Sequence, residues 1–131
     1  MATFEEWGHT LRFYRELIDE YGWQQGPMFE FLTWLSASNY ARSLFPSTSH
    51  EALGLSTVRS YEERLRRPMV YIVYSSQEQH FVIHWQRGQG DEVFEESVES
   101  PQAPKVISRI LGWLGVTDAD WSSATPNMSS L

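Results

Sequence analysis

The sequence contains no cysteine, a single lysine and no long hydrophobic run. Without cysteine, disulfides, thiol nucleophiles and cysteine-bound metals are excluded. A membrane-spanning helix needs about 20 mostly apolar residues, and no segment approaches that length. The first residues carry neither the basic start nor the apolar core of a secretory signal. The sequence therefore predicts a cytoplasmic protein that does not enter a membrane.

Positive charge is scarce as well. Ten basic residues face 17 acidic ones, which gives a formal net charge of −7 at pH 7. A field of this sign repels nucleic-acid backbones, so binding to DNA or RNA is disfavoured. Four arginines lie together in a short basic segment over residues 59–67. We interpret this segment as pairing with the chain's own acids, because surface charges are usually solvated or locally paired.

Length and composition indicate one folded domain. The 131 residues match the usual size of a domain, and 41% of them are hydrophobic. Such a fraction is far from the composition of disordered chains. The sequence predicts a single domain over residues 1–121 and a small, polar, disordered tail over residues 122–131.

Three segments have the periodicity of helices. Thr3 and Glu6 form a capping box, and apolar residues then recur at three- and four-residue steps as far as Tyr21. A second helix is predicted from Gly26, with a short continuation over 39–45 that Pro46 and the polar residues 47–49 end. A third is predicted over Lys105–Leu114 before Gly115. Two helices therefore come first and one comes last.

Between the helices lie three hydrophobic or alternating segments that predict strands, over residues 69–74, 80–85 and 91–99. Residues 53–58 predict a further strand, and residues 59–67 predict a charged connector with one helical turn. This order of elements indicates an α+β fold. We expect an antiparallel sheet of three to four strands, with the two N-terminal helices and the C-terminal helix packed on one face.

The hydrophobic pattern also predicts a register for the last two strands. A two-residue turn at Gln89-Gly90 pairs Trp85 with Phe94 on the face covered by the helices, and turns Glu96 inward. A shift by one residue would bring acidic side chains to the buried face, so this register is favoured. The opposite, open face then carries the candidate binding surface, in which His84 faces Glu95 and His80 faces Glu99. Its members are Tyr71, His80, His84, Glu95 and Glu99.

These residues do not predict a metal or cofactor site. His80 and His84 are about 13 Å apart if a strand rises about 3.3 Å per residue, so one ion cannot bind both. Residues 47–51 bring together a hydroxyl, an imidazole and a carboxylate. Triads are defined by geometry rather than by adjacency in sequence, and we interpret this segment as a polar turn. No catalytic residue is assigned.

The sequence favours a non-catalytic binding module whose acidic and aromatic sheet face or edge contacts a protein partner. A basic partner would be attracted by the negative charge, and an edge strand could also pair with a second copy to form a homodimer. Two alternatives stay open. One is a small enzyme or ligand-binding domain that uses the open face around His84 and Glu95, which an enclosed pocket there would favour. The other is a structural subunit of a larger assembly.

Overall fold

The computed structural model describes residues 1–116. Residues 117–131, which include the predicted tail, lie outside the described residues. The helices are α1 (Phe4–Asp19), α2 (Gly26–Ala37), a 3₁₀ helix (Asn39–Arg42), α3 (Tyr61–Arg64) and α4 (Pro104–Leu114). The strands are β1 (Phe45–Ser49), β2 (Ala52–Ser56), β3 (Met69–Ser75), β4 (His80–Gln86) and β5 (Glu92–Val98).

The strands form one antiparallel sheet in the order β1-β2-β3-β4-β5, so each strand pairs with its neighbours in sequence. The predicted α+β fold is confirmed, with five strands instead of three to four. The additional strand is β1. The polar turn predicted over residues 47–51 forms only at residues 50–51, and residues 47–49 belong to the strand. Pro46 pairs with Leu55 of β2. Proline is tolerated there because β1 is an edge strand, where one side needs no ladder hydrogen bonds.

Strand β2 and the segments on either side of it agree more closely with the sequence-based predictions. The strand predicted over 53–58 forms as Ala52–Ser56, and the predicted continuation after α2 is the 3₁₀ helix, which stops at Arg42. The charged connector contains one turn, α3, and the Ser60 side chain accepts a hydrogen bond from the backbone N–H of Glu63 at its start. The helical turn predicted for this connector is thus confirmed.

The hydrophobic core lies between one face of the sheet and the helices α1, α2 and α4. Alternate residues of the central strands are buried on this face, since successive side chains in a strand point to opposite sides. They meet the apolar stripes of the helices in one continuous cluster. The strands contribute Leu53, Leu55, Val70, Ile72, Phe81, Ile83 and Trp85 to it. The helices are therefore on one side of the sheet, as predicted, and the open face lies opposite.

The start of α1 is tied to the beginning of β1. The predicted capping box forms, with the Glu6 N–H donating to the Thr3 hydroxyl at 3.1 Å and the Thr3 N–H donating to the Glu6 carboxylate at 3.1 Å. Arg59 lies 2.8 Å from that carboxylate, and its guanidinium covers the Phe45 ring at 4.8 Å. Mainly through its hydrogen bond, Arg59 lowers the pKa of Glu6 to about 2. The interpretation that the basic segment pairs with the chain's own acids is confirmed for Arg59 alone, since its other three arginines have no ion pair among residues 1–116.

A second link joins α1 to the turn between β1 and β2. The fully buried Tyr14 donates its hydroxyl hydrogen to the carbonyl of Glu51 at 2.7 Å. Burial raises the pKa of this phenol, so it stays a donor at neutral pH. The turn itself has a left-handed residue, His50, with φ of 55°. This partly buried hydrogen bond holds the β1–β2 hairpin against α1.

Among residues 1–116, no helix is both long enough and apolar enough to pass through a bilayer. The cytoplasmic location stays a prediction.

Candidate functional site

The register predicted for β4 and β5 is confirmed along most of the hairpin. Trp85 pairs with Phe94, and His84 pairs with Glu95. The predicted two-residue turn is wrong, because the Arg87 N–H bonds the Asp91 carbonyl at 3.0 Å and the loop has three residues. Val93 is the additional residue of a β-bulge that restores the register beyond it. The change of turn is thus compensated within β5.

On the open face, Tyr71 and His84 are direct neighbours across β3 and β4. The Tyr71 hydroxyl lies 2.9 Å from the side-chain oxygen and 2.7 Å from the side-chain nitrogen of Gln89. Sequence reasoning missed Gln89, since it placed this residue within the turn and gave it no partner. The loop carries Gln89 back over the sheet, so the hydroxyl of Tyr71 is bonded within the protein.

His84 lies close to two carboxylates. Its Nδ1 is 2.6 Å from the Glu92 carboxylate and 3.9 Å from the Glu95 carboxylate. The predicted neighbour, Glu95, is therefore the more distant of the two. The bulge explains this, because it turns Glu92 toward the same face as Glu95, although the two residues are three apart. Sequence spacing alone could not reveal that geometry.

The other predicted pair does not form. Strand β5 ends at Val98, so Glu99 is not opposite His80. His80 instead pairs with Ser75 of β3, and its Nε2 lies 3.5 Å from the carboxylate of Glu78. The candidate surface thus brings together Tyr71 and His84 with Glu95, and leaves His80 and Glu99 out.

An aromatic cluster lies on the helix side of β5 and was not predicted as a unit. We define it as Trp85, Phe94 and Trp113. Trp85 stacks on Phe94 with ring centroids 5.8 Å apart, and Trp113 of α4 meets both rings edge-on, at 5.5 and 6.2 Å. One sequence signal could have indicated this cluster. Trp113 lies four residues after Arg109, so both side chains lie on the same side of a helix. Phe94 remains 46% exposed within this cluster.

Polar groups hold the aromatic cluster in place. The inward position predicted for Glu96 is confirmed, since its carboxylate accepts a hydrogen bond from the Trp85 indole at 3.2 Å. Arg109 pairs with the same carboxylate at 2.7 Å and lies over the Trp85 ring at 5.6 Å. The Trp113 indole donates to the carbonyl of Gln86 at 2.8 Å. The polar atoms of the cluster are satisfied, which leaves its ring surfaces for contact.

A cavity of about 220 Å³ opens at this cluster, between α4 and β5. Its lining consists of the three aromatic rings, Arg109 and Gly112. A side chain at Gly112 would meet no atom within 4 Å, so this glycine keeps the cavity open without being required by the backbone. The cavity is about the size of one large side chain, smaller than the usual site for a small molecule.

Carboxylates follow the exposed side of β5. Asp91 is paired with Arg87 at 3.2 Å, and Glu92 with His84. The side chain of Glu95 is 60% exposed and has only the distant contact with His84. Within residues 1–116, no three His, Asp or Glu side chains are grouped so that they could hold a metal ion. The carboxylates along β5 can therefore attract a positively charged group.

No protein-family model, curated protein or solved structure matches this chain.

Proposed function

We propose that this chain is a non-catalytic binding domain whose edge strand β5 takes up an extended, basic segment of a protein partner. The observation that carries the proposal is the half-exposed Phe94, which lies on an edge strand, within an aromatic cluster, and among carboxylates. Each of these three properties supports a different part of the interaction, and they occur within residues 91–99.

The edge supports pairing with another backbone. Strand β5 is bonded to β4 on one side only, and most of its residues are exposed. An edge strand presents free N–H and C=O groups that a second extended chain can complete. The bulge at Val93 disturbs the first part of the strand. Regular pairing with a partner is therefore expected over Phe94–Val98.

The aromatic cluster supports anchoring. Side chains that dominate interfaces are enriched in aromatic residues and lie in preformed pockets. Here the two indole rings are fixed by hydrogen bonds, Phe94 stacks on Trp85, and the cavity beside Phe94 is open to solvent, so little ordering is needed when a partner binds. We infer that this cavity takes an apolar side chain of the partner segment.

The charges support the choice of partner. Glu95 and Glu99 are exposed, and neither has a basic side chain other than His84 within ion-pair distance among residues 1–116. These two exposed carboxylates, which follow the anchor Phe94 along the chain, attract lysine or arginine and speed the encounter. A homodimer through β5 is less well supported, because two such edges would bring glutamates together, and opposed like charges are destabilising.

The alternative function at the open face has weaker support. The hydroxyl of Tyr71 is bonded to Gln89, and Nδ1 of His84 is bonded to Glu92, so both of these groups already have partners within the protein. A catalytic or ligand-binding role would have to break these bonds. The cavities of about 570, 390 and 220 Å³ are lined by residues of other surfaces.

The test uses a synthetic peptide of alternating lysine and valine with one central leucine, and the same peptide with glutamate in place of lysine. In ¹⁵N NMR titrations, the basic peptide should shift the amides of Phe94–Val98 and the indole N–H of Trp113, and added salt should weaken binding. The acidic peptide should produce no shift. Shifts concentrated at Tyr71 and His84 would support the alternative function instead.

Charge reversal supplies the matched control. The double variant Glu95→Lys/Glu99→Lys should weaken binding of the basic peptide by about tenfold, since it removes and reverses the attraction at the edge. The double variant Glu16→Lys/Glu30→Lys makes the same change of net charge at exposed positions of α1 and α2. If both variants weaken binding equally, only net charge matters and the assignment to β5 is wrong. Light scattering of the free protein tests the homodimer.

A further inference from the structure

A larger cavity lies where the first turn of α1 meets the end of α2 and the 3₁₀ helix. Its volume is about 570 Å³. Pockets that hold small molecules usually measure about 300 to 1,000 Å³. None of its lining residues belongs to the sheet, so the cavity is separate from the surface proposed for β5.

The larger part of the wall of this cavity is apolar. Trp7 and Ala41 are buried on its inner side, and Phe4 and Met1 are 94% and 81% exposed beside it. The one polar atom of the Trp7 ring donates to the carbonyl of Ala41 at 2.9 Å, so the indole offers only carbon surface to the cavity. A hydrocarbon or aromatic group would gain favourable contacts against this wall.

Most polar side chains around the cavity already have partners. The hydroxyls of Ser36 and Ser38 donate to carbonyls of α2 at 3.1 and 2.6 Å. The Thr3 hydroxyl belongs to the capping box of α1. These hydroxyls cannot donate a hydrogen bond to a ligand without giving up bonds within the protein. The side chains that remain for a ligand are those of Asn39 and Arg42, at the two ends of the 3₁₀ helix.

Arg42 is the arginine that lines this cavity. Arg59, Arg87 and Arg109 each pair with a carboxylate at 3.2 Å or less, whereas Arg42 has no ion pair, like several other arginines among residues 1–116. Within residues 1–116, no carboxylate lies within 4.0 Å of the Arg42 guanidinium. Its backbone is fixed nonetheless, because the carbonyl of Arg42 accepts a hydrogen bond from the Ala2 N–H at 3.2 Å. An uncompensated cation thus lies at the rim of an apolar cavity.

We propose that this cavity binds a small amphipathic carboxylate. The hydrocarbon part of the ligand lies against Trp7 and Phe4, and its carboxylate accepts hydrogen bonds from the guanidinium of Arg42 and the amide of Asn39. A planar guanidinium matches a carboxylate with two parallel hydrogen bonds. The net charge of −7 repels anions over most of the surface, and Arg42 is the one basic residue among those that line this cavity, so it favours binding of a carboxylate there.

The experiment compares octanoate with 1-octanol, which has the same chain length but no charge. In ¹⁵N NMR titrations, octanoate should shift the indole N–H of Trp7 and the amides of Asn39 and Arg42. It should bind about tenfold more tightly than 1-octanol, as expected for one charge-assisted contact. Equal affinities for octanoate and 1-octanol would mean that the cavity does not recognise the carboxylate, and would overturn the proposal.

Two variants test the assignment of the site. Arg42→Gln should lower the affinity for octanoate by about tenfold and leave that for 1-octanol unchanged. Arg66→Gln makes the same charge change at an exposed position elsewhere and should have no effect. Ala37→Phe, on the exposed side of the cavity, should fill it and abolish binding of both compounds. The proposal is overturned if Arg42→Gln behaves as Arg66→Gln does, if Ala37→Phe still binds octanoate, or if the shifts fall on Trp113.

Discussion

The two edges of the sheet are protected in opposite ways. The β1 edge contacts α1, and its first residue, Phe45, is covered by Arg59. The β5 edge carries half-exposed apolar side chains at Val93 and Phe94, each 46% exposed, between carboxylates. Helix α1 and the side chain of Arg59 cover part of the β1 edge. At the β5 edge, only charge and a bulge hinder pairing with another chain. Charge repels a second acidic edge but attracts a basic one, so the β5 edge is selective rather than closed.

The supports of the two edges also differ in kind. Hydrogen bonds and an ion pair from α1 hold β1, through Tyr14 and Glu6. Aromatic packing in the cluster of Trp85, Phe94 and Trp113 holds β5 against α4, together with the ion pair between Arg109 and Glu96. We therefore expect the volume of buried side chains to matter more for β5 than for β1.

The largest loss of stability is expected when the Trp85 ring, which packs beneath β5, is removed. Trp85→Ala should lower the free energy of unfolding by about 3 to 5 kcal/mol, because Trp85 is 2% exposed and its loss leaves a cavity under Phe94. Urea denaturation measures this change. The control, Phe94→Ala, should cost about 1 kcal/mol, since that ring is half-exposed. Similar losses in the two variants would contradict the view that Trp85 is the support.

The next largest effect is expected where the β1 edge meets the centre of the sheet. A Cβ atom at Gly54 would collide with the hydroxyl of Ser47 and lie 2.7 Å from a ring carbon of Tyr71. Gly54→Ala should therefore destabilise the protein by about 1 to 3 kcal/mol through overpacking. Ser97→Ala on β5 should be nearly neutral, because Ser97 is exposed. If Gly54→Ala leaves the free energy of unfolding unchanged, the Tyr71 ring can move away from this position. Its hydrogen bond to Gln89 would then also be lost.

A smaller effect is expected from the hydrogen bond that anchors the β1–β2 turn. Tyr14→Phe removes the donor to the Glu51 carbonyl and should cost about 1 kcal/mol. Native-state hydrogen exchange should become faster in β1 and β2 and stay unchanged in β5. Faster exchange in β5 as well would mean that the two edges open together, and the comparison between them would fail.

The smallest change in stability is expected when Glu6 is protonated at low pH. The folded pKa of Glu6, about 2, lies below its ordinary value of 4.5, so the stability from this carboxylate is fully present above pH 4.5. It is lost as the pH falls from 4.5 toward 2. The unfolding curves of the parent protein and of Arg59→Gln should therefore approach each other over this range. Arg66→Gln is the control, and a gap that stays constant with pH would exclude Glu6 as the titrating group.

The sequence predicted the parts of the fold that rest on apolar periodicity. Helix α1, strands β3 and β4, and the register that pairs Trp85 with Phe94 all follow from the spacing of large hydrophobic residues. Strand β1 could not be found in this way, because Pro46 and the hydroxyl residues after it have no apolar alternation. Its position is determined by pairing with Leu55 and its neighbours in β2, which is a tertiary effect.

The candidate site was predicted less completely, for a geometric reason. The pairing of His84 with Glu95 follows from register, but the shorter contact to Glu92 depends on the bulge, and no residue type at Val93 requires one. Glu99 was misplaced because β5 ends one residue earlier than its hydrophobic pattern indicates. The contact of Trp113 with Phe94 needs the position of α4 over the sheet, which periodicity within the helix does not provide.

The strictly sequential order of the strands has a consequence for how the protein folds. Each strand meets its partner after a short loop or one connector, so every step of sheet growth closes a small piece of chain and costs little entropy. Topologies with such local contacts fold faster than sheets of the same size with distant pairings. The order also makes β5 the last strand along the chain to find its place, so newly synthesised molecules expose the β4 edge until residues 92–98 arrive.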